Sequence, residues 1–158
     1  MTEERLNGHK IKQLHTLTGQ RLGKTLEQLN LTPTQSHVLS YLVEHRGQDP
    51  CPRDVEEFFS LTHPTVSGIL SRLEAKGYVA FRLDREDRRC KRIHVTNKAR
   101  TCHAQIRAHI EALEEEMVWD FTPAERAAFA DLLGRAIQNL GGESGTCQKL
   151  HEKEESRL

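Results

Sequence analysis

A helix-forming stretch at residues 62–77 combines a small outer face with side chains that can hydrogen-bond to nucleic acid. Its apolar residues recur at helical spacing and predict one buried stripe: Val66, Ile69, Leu70 and Leu73. The opposite face carries small residues: Pro64, Gly68, Ser71 and Ala75. A helix with such a face can lie close to the floor of a DNA major groove. We expect the flanking residues Thr65, Ser67 and Arg72 to reach base edges or phosphates.

A charged loop follows this helix inside a predicted β-hairpin. Apolar and polar residues alternate on both sides of the loop, which predicts two strands. The loop and its edge, residues 84–91, hold four cations beside two aspartates: Arg85, Arg88, Arg89, Lys91, Asp84 and Asp87. Arginine in such a loop can neutralise phosphates or enter a narrow minor groove. We expect Arg88 or Arg89 to enter the groove, while the other pairs with Asp84 or Asp87 and stiffens the loop.

The segment before the small-faced helix supplies the elements that must position it. Residues 8–29 predict a long amphipathic helix. The capping signal at residues 32–35, with Pro33 at the first helical position, then begins a helix that ends near His45. Pro52 begins a short helix whose apolar residues we expect to point inward: Val55, Phe58 and Phe59. Arg53, at the start of this helix, is a candidate phosphate contact.

Two further helices are predicted after the hairpin. One begins near Asn97, and a second capping box at residues 122–125 begins the other, which ends before Gly141 and Gly142. The apolar stripes of the first helix and of these last two exceed what so small a hairpin domain can cover. We therefore expect another copy of the chain to cover them, and the alternative is that they pack only on their own chain.

Charge is balanced over the chain but separated along it. The 158 residues include 23 basic and 23 acidic side chains, so the formal net charge is zero. Residues 82–100 nevertheless carry a local net charge of +5, whereas residues 111–131 hold seven acidic residues and one basic residue. Such a separation suits a DNA-binding protein whose other end is free of DNA. For the acidic run, an ordinary solvated helix face is the alternative.

The organisation of residues 62–96 resembles the MarR family of bacterial transcription regulators. The resemblance rests on four short strings in order: Pro64-Thr65-Val66-Ser67, then Arg72-Leu73-Glu74 with Lys76-Gly77, then Asp84 with Asp87-Arg88-Arg89, then Val95-Thr96. It extends less sharply over about residues 8–140. It implies a mainly α fold with a small β-hairpin (α+β), namely a winged helix-turn-helix flanked by N- and C-terminal dimerisation helices.

The domain boundaries and the function follow as expectations. Residues 1–31 would belong to the dimerisation region, 32–96 would form the winged helix-turn-helix, 97–142 would be C-terminal dimerisation helices, and 143–158 would be a disordered tail. The resemblance implies a homodimer that binds a pseudo-palindromic duplex and represses or activates transcription. It also implies a small aromatic or phenolic effector in a crevice that we expect His15, His37 and Tyr41 to line.

Other functions fit the sequence less well. A winged-helix module for protein–protein contact, without sequence-specific DNA binding, is the main alternative. Cys102, His103 and His109 share one predicted helix, but no two of them have the i, i+4 spacing that grips a metal ion, so we expect no metal and no cofactor. Cys90 and Cys51 are candidates for thiol sensing. The chain lacks the common catalytic motifs, an apolar signal segment and a long apolar run, which predicts a non-enzymatic cytoplasmic protein.

Overall fold

The computed structural model describes residues 7–84 and 91–142, which form six α-helices and one β-hairpin. The first four helices are α1 (Asn7–Gln28), α2 (Pro33–Glu44), α3 (Pro52–Phe59) and α4 (His63–Ala75), with a short 3₁₀ turn at Arg46–Gln48. The hairpin consists of β1 (Val79–Leu83) and β2 (Lys91–Val95), and it is followed by α5 (Asn97–Met117) and α6 (Pro123–Asn139). The predicted order and type of these elements are confirmed.

Capping residues fix the starts of α2 and α6 as the sequence predicts. The Thr32 side chain accepts a hydrogen bond from the Gln35 backbone, and the Gln35 side chain accepts one from the Thr32 backbone. Thr122 and Glu125 form the same reciprocal pair at α6. Each pair satisfies two backbone N–H groups that a helix start would otherwise leave unbonded.

The core of the winged helix is built from the predicted apolar faces. Among its fully buried side chains are Val38, Leu39 and Leu42 of α2, Val55 of α3, Val66, Leu70 and Leu73 of α4, and Ile93 of β2. Burial of each such side chain contributes about 1.5–3 kcal/mol, which is enough to hold three short helices against a two-stranded sheet. Within the described residues, the chain from α1 to Leu113 forms one compact unit around this core.

One inward prediction is wrong. Phe58 is 51% exposed, although Val55 of the same helix is fully buried. The Phe58 ring lies on Tyr41, with 4.4 Å between the ring centroids, and so covers the edge of the core rather than entering it. A helix of eight residues has little more than two turns, and its apolar residues need not all face the core.

The second unit begins at Glu114 and contains the end of α5 and all of α6. The Phe121 and Phe129 rings pack edge to face with 5.7 Å between centroids. A salt bridge of 2.9 Å joins Arg126 to Glu115. No residue of α6 is buried. In the described part of the chain, no helix is both long and apolar enough to span a membrane.

Candidate nucleic-acid interface

A tight turn sets the direction of α4 relative to α3. Ser60 adopts a left-handed backbone conformation with φ of 52°. The Leu61 N–H donates to the Glu56 carbonyl, and this hydrogen bond closes the last turn of α3. The helix α4 then begins at His63, with Thr62 as the N-cap. Because Val66 and its predicted partners on the apolar face are buried in the core, the opposite face of α4 turns outward.

The outward face of α4 is open and carries the predicted contact residues. Thr65, Ser67 and Arg72 are all exposed. No atom lies within 4 Å of the position that a Cβ of Gly68 would occupy, apart from the helix itself. The hydroxyls of Thr65 and Thr62 are 2.9 Å apart, so Thr65 already has a hydrogen-bond partner at the start of the helix. Ser67 and Arg72 therefore stand on an unobstructed surface that another molecule can approach.

His63 and Glu56 form a feature of this surface that sequence reasoning missed. His63 Nδ1 lies 2.6 Å from Glu56 Oε1, and the imidazole is exposed at the first turn of α4. The carboxylate fixes the ring orientation, so Nε2 points away from Glu56. The two residues are seven positions apart in different helices, and only the turn at Ser60 brings them together.

The hairpin places the predicted wing at its tip. The strands are antiparallel, and Leu83 is opposite Lys91 at the end of the described ladder. Lys91 is exposed at the start of β2. Arg85, Asp87, Arg88 and Arg89 lie outside the described residues, and Cys90 does as well. The roles assigned to these residues remain predictions from the sequence.

Arg92 anchors the loop end of the hairpin. Its Nε donates to Asp84 Oδ2 at 2.7 Å, and its Nη1 donates to the Asp49 carbonyl at 3.1 Å. The neighbouring Ile93 N–H donates to the Pro50 carbonyl at 2.8 Å, which joins the same loop to β2. Arg92 is a partner of Asp84 among the described residues. The register explains this pair, because Arg82 is opposite Arg92 and residue 84 is then its diagonal neighbour. The predicted pairs of Asp84 or Asp87 with Arg88 or Arg89 stay predictions, because both arginines lie outside those residues.

Substitution of Arg92 by leucine should loosen the loop end of the hairpin. The change withdraws a guanidinium from Asp84, whose side chain is only 17% exposed, and it frees the Asp49 carbonyl. We expect a loss of about 1 kcal/mol in the free energy of unfolding, the upper range for a partly exposed ion pair. Urea denaturation would measure the loss. Arg82→Leu, on the opposite strand in the same register, is the matched control, and equal stability of the two variants would contradict the anchoring role.

Arg53 is placed at the start of α3, as the sequence predicts. Its Nε lies 2.9 Å from Glu57 Oε1, and both side chains are exposed. An exposed ion pair one helical turn apart contributes little to stability. Arg53 can therefore leave Glu57 and bind a phosphate with little loss of folding free energy.

The three predicted pocket residues do not share one environment. His15 and His37 are exposed, whereas Tyr41 is buried. The Tyr41 ring stacks on His45 with 4.2 Å between centroids and also contacts Phe58 and Phe59 of α3. Burial raises the pKa of the Tyr41 hydroxyl, and nearby Asp54 raises it further. The described ring contacts of Tyr41 are with His45 at the end of α2 and with α3, and the pocket role of the three residues stays a prediction.

The described residues bear on two further kinds of chemistry, metal binding and thiol sensing. They contain no group of three or more potential metal ligands close enough to hold an ion. Cys51 and Cys102 are free thiols there, and burial is the largest cause of a raised pKa at both. A raised pKa disfavours the reactive thiolate. The redox hypothesis for Cys51 is weakened, and Cys90 lies outside the described residues.

Helices α3 and α4 are joined by a tight turn, and a β-hairpin follows α4 in the chain. The outward face of α4 carries hydroxyl groups and an arginine. These features define a winged helix-turn-helix protein. The model of the MarR family matches residues 29–89. Over this segment the chain resembles the MarR family.

Similarity to individual proteins extends well beyond the matched segment. An uncharacterised HTH-type transcriptional regulator of Bacillus subtilis, YwoH, is 28% identical over 130 residues, which cover 82% of this chain and 93% of YwoH. A MepR–DNA complex from S. aureus is 26% identical with a TM-score of 0.67, covering 86% of this chain and 96% of MepR. MepR bound to ethidium bromide has the same fold, with 24% identity, a TM-score of 0.71, and coverage of 88% and 99%.

Proposed function

We propose that this protein is a MarR-family DNA-binding transcriptional regulator and that it acts as a homodimer on a pseudo-palindromic duplex. In the proposal, α4 lies in the major groove and the wing at residues 84–91 enters the adjacent minor groove. Residues 32–96 form the DNA-binding domain, and residues 1–31 and 97–142 form the dimerisation region. The protein has no catalytic activity and acts in the cytoplasm, where we propose that it represses transcription until an effector binds.

The open outward face of α4 is the observation that carries the proposal. Four apolar residues of this helix are buried, and they hold its other side toward solvent. Thr65 and Ser67 can donate to phosphates or bases there, and Arg72 can form a bidentate pair with guanine or contact a phosphate. Arg53, Arg85, Arg88, Arg89 and Lys91 are the proposed additional phosphate or groove contacts. The MepR–DNA complex, a relative of similar length, supports this assignment.

Exposed apolar side chains at the C-terminal end support the homodimer. Leu132 and Ile137 are more than half exposed on α6, as is Trp119, which follows α5. Phe121, Phe129 and Leu132 line a cavity of about 400 Å³ with Asp120 and Glu125 at its rim. Exposed apolar side chains of this size are candidates for contact with another molecule. A second copy in a closed, two-fold arrangement would cover them and place the recognition helices roughly 34 Å apart.

A fluorescence anisotropy titration tests the DNA-binding part. The purified protein would be titrated on duplexes from its own promoter region and on scrambled duplexes at several salt concentrations. We expect saturable preference for the promoter duplex, and log K should fall linearly with log salt. Weak binding without preference would favour the protein–protein module instead.

The proposal includes a small-molecule effector. The family resemblance implies a small aromatic ligand, and MepR was solved with ethidium bromide. We expect a small aromatic acid such as salicylate, or a planar cation such as ethidium, to release the protein from its promoter duplex. Ethidium also intercalates into DNA, so its effect would be scored by direct calorimetric titration of the protein alone.

A further inference from the structure

Three residues beyond the end of α4 hold both connections of the winged helix to the rest of the chain. We call Lys76, Gly77 and Tyr78 the junction. The chain enters the winged helix through the turn at residues 29–31 after α1, and it leaves through residues 96–98 into α5. Both connections are hydrogen-bonded to the junction, although they are more than sixty residues apart in the sequence.

The entering connection is bound by two side chains of the junction. Lys76 Nζ donates to the Asn30 carbonyl at 2.6 Å and to Gln35 Oε1 at 2.9 Å. The Tyr78 hydroxyl donates to the Leu29 carbonyl at 3.0 Å. These carbonyls follow the last turn of α1, where backbone acceptors lack helical partners and the helix dipole favours a cation. Burial, with a smaller effect of Cys102, raises the pKa of Tyr78 to about 12, so its hydroxyl remains a donor.

The departing connection is bound by the junction backbone. Thr96 Oγ1 donates to the Gly77 carbonyl at 2.8 Å, and Lys98 Nζ donates to the Lys76 carbonyl at 2.6 Å. The Lys98 ammonium also lies 4.7 Å from the centroid of the Tyr78 ring. Gly77 has a φ of 75°, which a residue with a side chain adopts only under strain and which directs the chain from α4 into β1.

The ammonium of Lys76 is therefore occupied by protein acceptors at the end of the proposed recognition helix. It does not need DNA as a partner, in contrast to Arg72 one turn earlier. Hydrogen bonds from an ammonium to carbonyl oxygens are charge-assisted and short, and they resist rotation of α4 against the turn after α1. These bonds add to the packing of the buried face of α4 and join the end of the helix directly to both connections.

We propose that Lys76 is a positioning residue that sets the separation and angle of the two recognition helices in the dimer, and thereby the half-site spacing that the protein accepts. The inference rests on the proposed function, because spacing has meaning only for a dimer on DNA. Lys76 acts through α4 and touches no base. Lys98 of α5 also helps to position α4, because it binds the Lys76 carbonyl.

The test compares Lys76→Met with the wild-type protein on a palindromic duplex that the wild-type protein selects from a random pool. Methionine keeps most of the aliphatic stem and removes the ammonium. Dissociation constants would be measured on this duplex and on versions with one or two base pairs added to or removed from the spacer. We expect about fivefold to tenfold weaker binding at the selected spacing, which is less than the full value of a charge-assisted hydrogen bond because Lys76 acts only through α4. Discrimination among spacers should fall, while the slope of log K against log salt stays the same.

Arg46→Met is the matched control. Arg46 Nη1 donates to the Val43 carbonyl at 2.7 Å and so also binds the end of a helix, but it binds neither connection. This variant should keep both affinity and spacing discrimination. Lys98→Met, measured in the same way, keeps the test decisive if Lys76→Met does not fold, and it too should broaden the accepted spacing.

Two results would overturn the inference. A lower salt slope with intact spacing discrimination would make Lys76 a phosphate contact, since each lost contact reduces the slope by about 0.9. Unchanged affinity and spacing in both lysine variants would show that the junction does not position α4. If the wild-type protein selects no sequence from the pool, the proposed function fails instead, and the two failures are thus distinguishable.

Discussion

Replacing Leu132 and Ile137 together by glutamate should give a monomer that has lost more than about 100-fold in affinity for its operator. Both side chains are more than half exposed on α6, and no residue of that helix is buried within one chain. In the proposed dimer these side chains become buried, and a buried unpaired carboxylate is strongly unfavourable. Loss of the dimer separates the two DNA-binding domains, and the gain from simultaneous binding, about 10²–10⁴, disappears.

The control uses the other side of the same helix. Ala127→Glu with Gln138→Glu adds the same number of carboxylates to α6, at positions that 3.6 residues per turn place opposite the apolar stripe. Sedimentation equilibrium at micromolar concentration would give the mass of each variant, and far-UV circular dichroism would show that both retain their helices. A dimeric Leu132→Glu, Ile137→Glu variant would refute the assignment of α6 to the interface. A monomeric wild-type protein would refute the homodimer itself.

The sequence predicted element boundaries best where a specific side chain defines them. Thr32 with Gln35 and Thr122 with Glu125 begin α2 and α6 at the predicted positions, because a capping box is a local interaction that neighbouring residues fully encode. The buried stripe of α4 was equally predictable, since Val66 and Leu73 lie one and three turns into a regular helix. In each case the prediction needed no knowledge of the tertiary structure.

Predictions that depended on distant residues were incomplete. Phe58 has the right spacing for an inward residue, but its exposure depends on Tyr41 of another helix. Arg92 became the partner of Asp84 through the strand register, which alternation alone does not determine. The bond from Lys76 to Asn30 spans 46 residues and depends on how α4 and α1 are joined. Periodicity describes which face of an element is buried, and it does not give the partner of a polar side chain.

Replacing Arg88 and Arg89 together by alanine should weaken operator binding by more than about tenfold. Both residues lie at the proposed wing, between Asp84 and Lys91 at the ends of the described strands. A groove-reading arginine contributes about 1–3 kcal/mol, and a lost phosphate contact reduces the salt slope by about 0.9. Anisotropy titrations at several salt concentrations measure both quantities. Lys10→Ala with Lys12→Ala, which removes two exposed cations from α1, should leave both nearly unchanged.

The base composition of the duplex separates the two kinds of contact that these arginines can make. An arginine in the minor groove gains most from a narrow, A·T-rich segment, so its loss should cost more on an A·T-rich flank than on a G·C-rich one. A phosphate contact should cost the same on both flanks. The single variants Arg88→Ala and Arg89→Ala then assign the roles: the groove residue shows dependence on the flank, whereas the residue that pairs with an aspartate shows a lower free energy of unfolding. Retained affinity of the double variant on both flanks would remove the wing from the interface and leave α4 as the reading element.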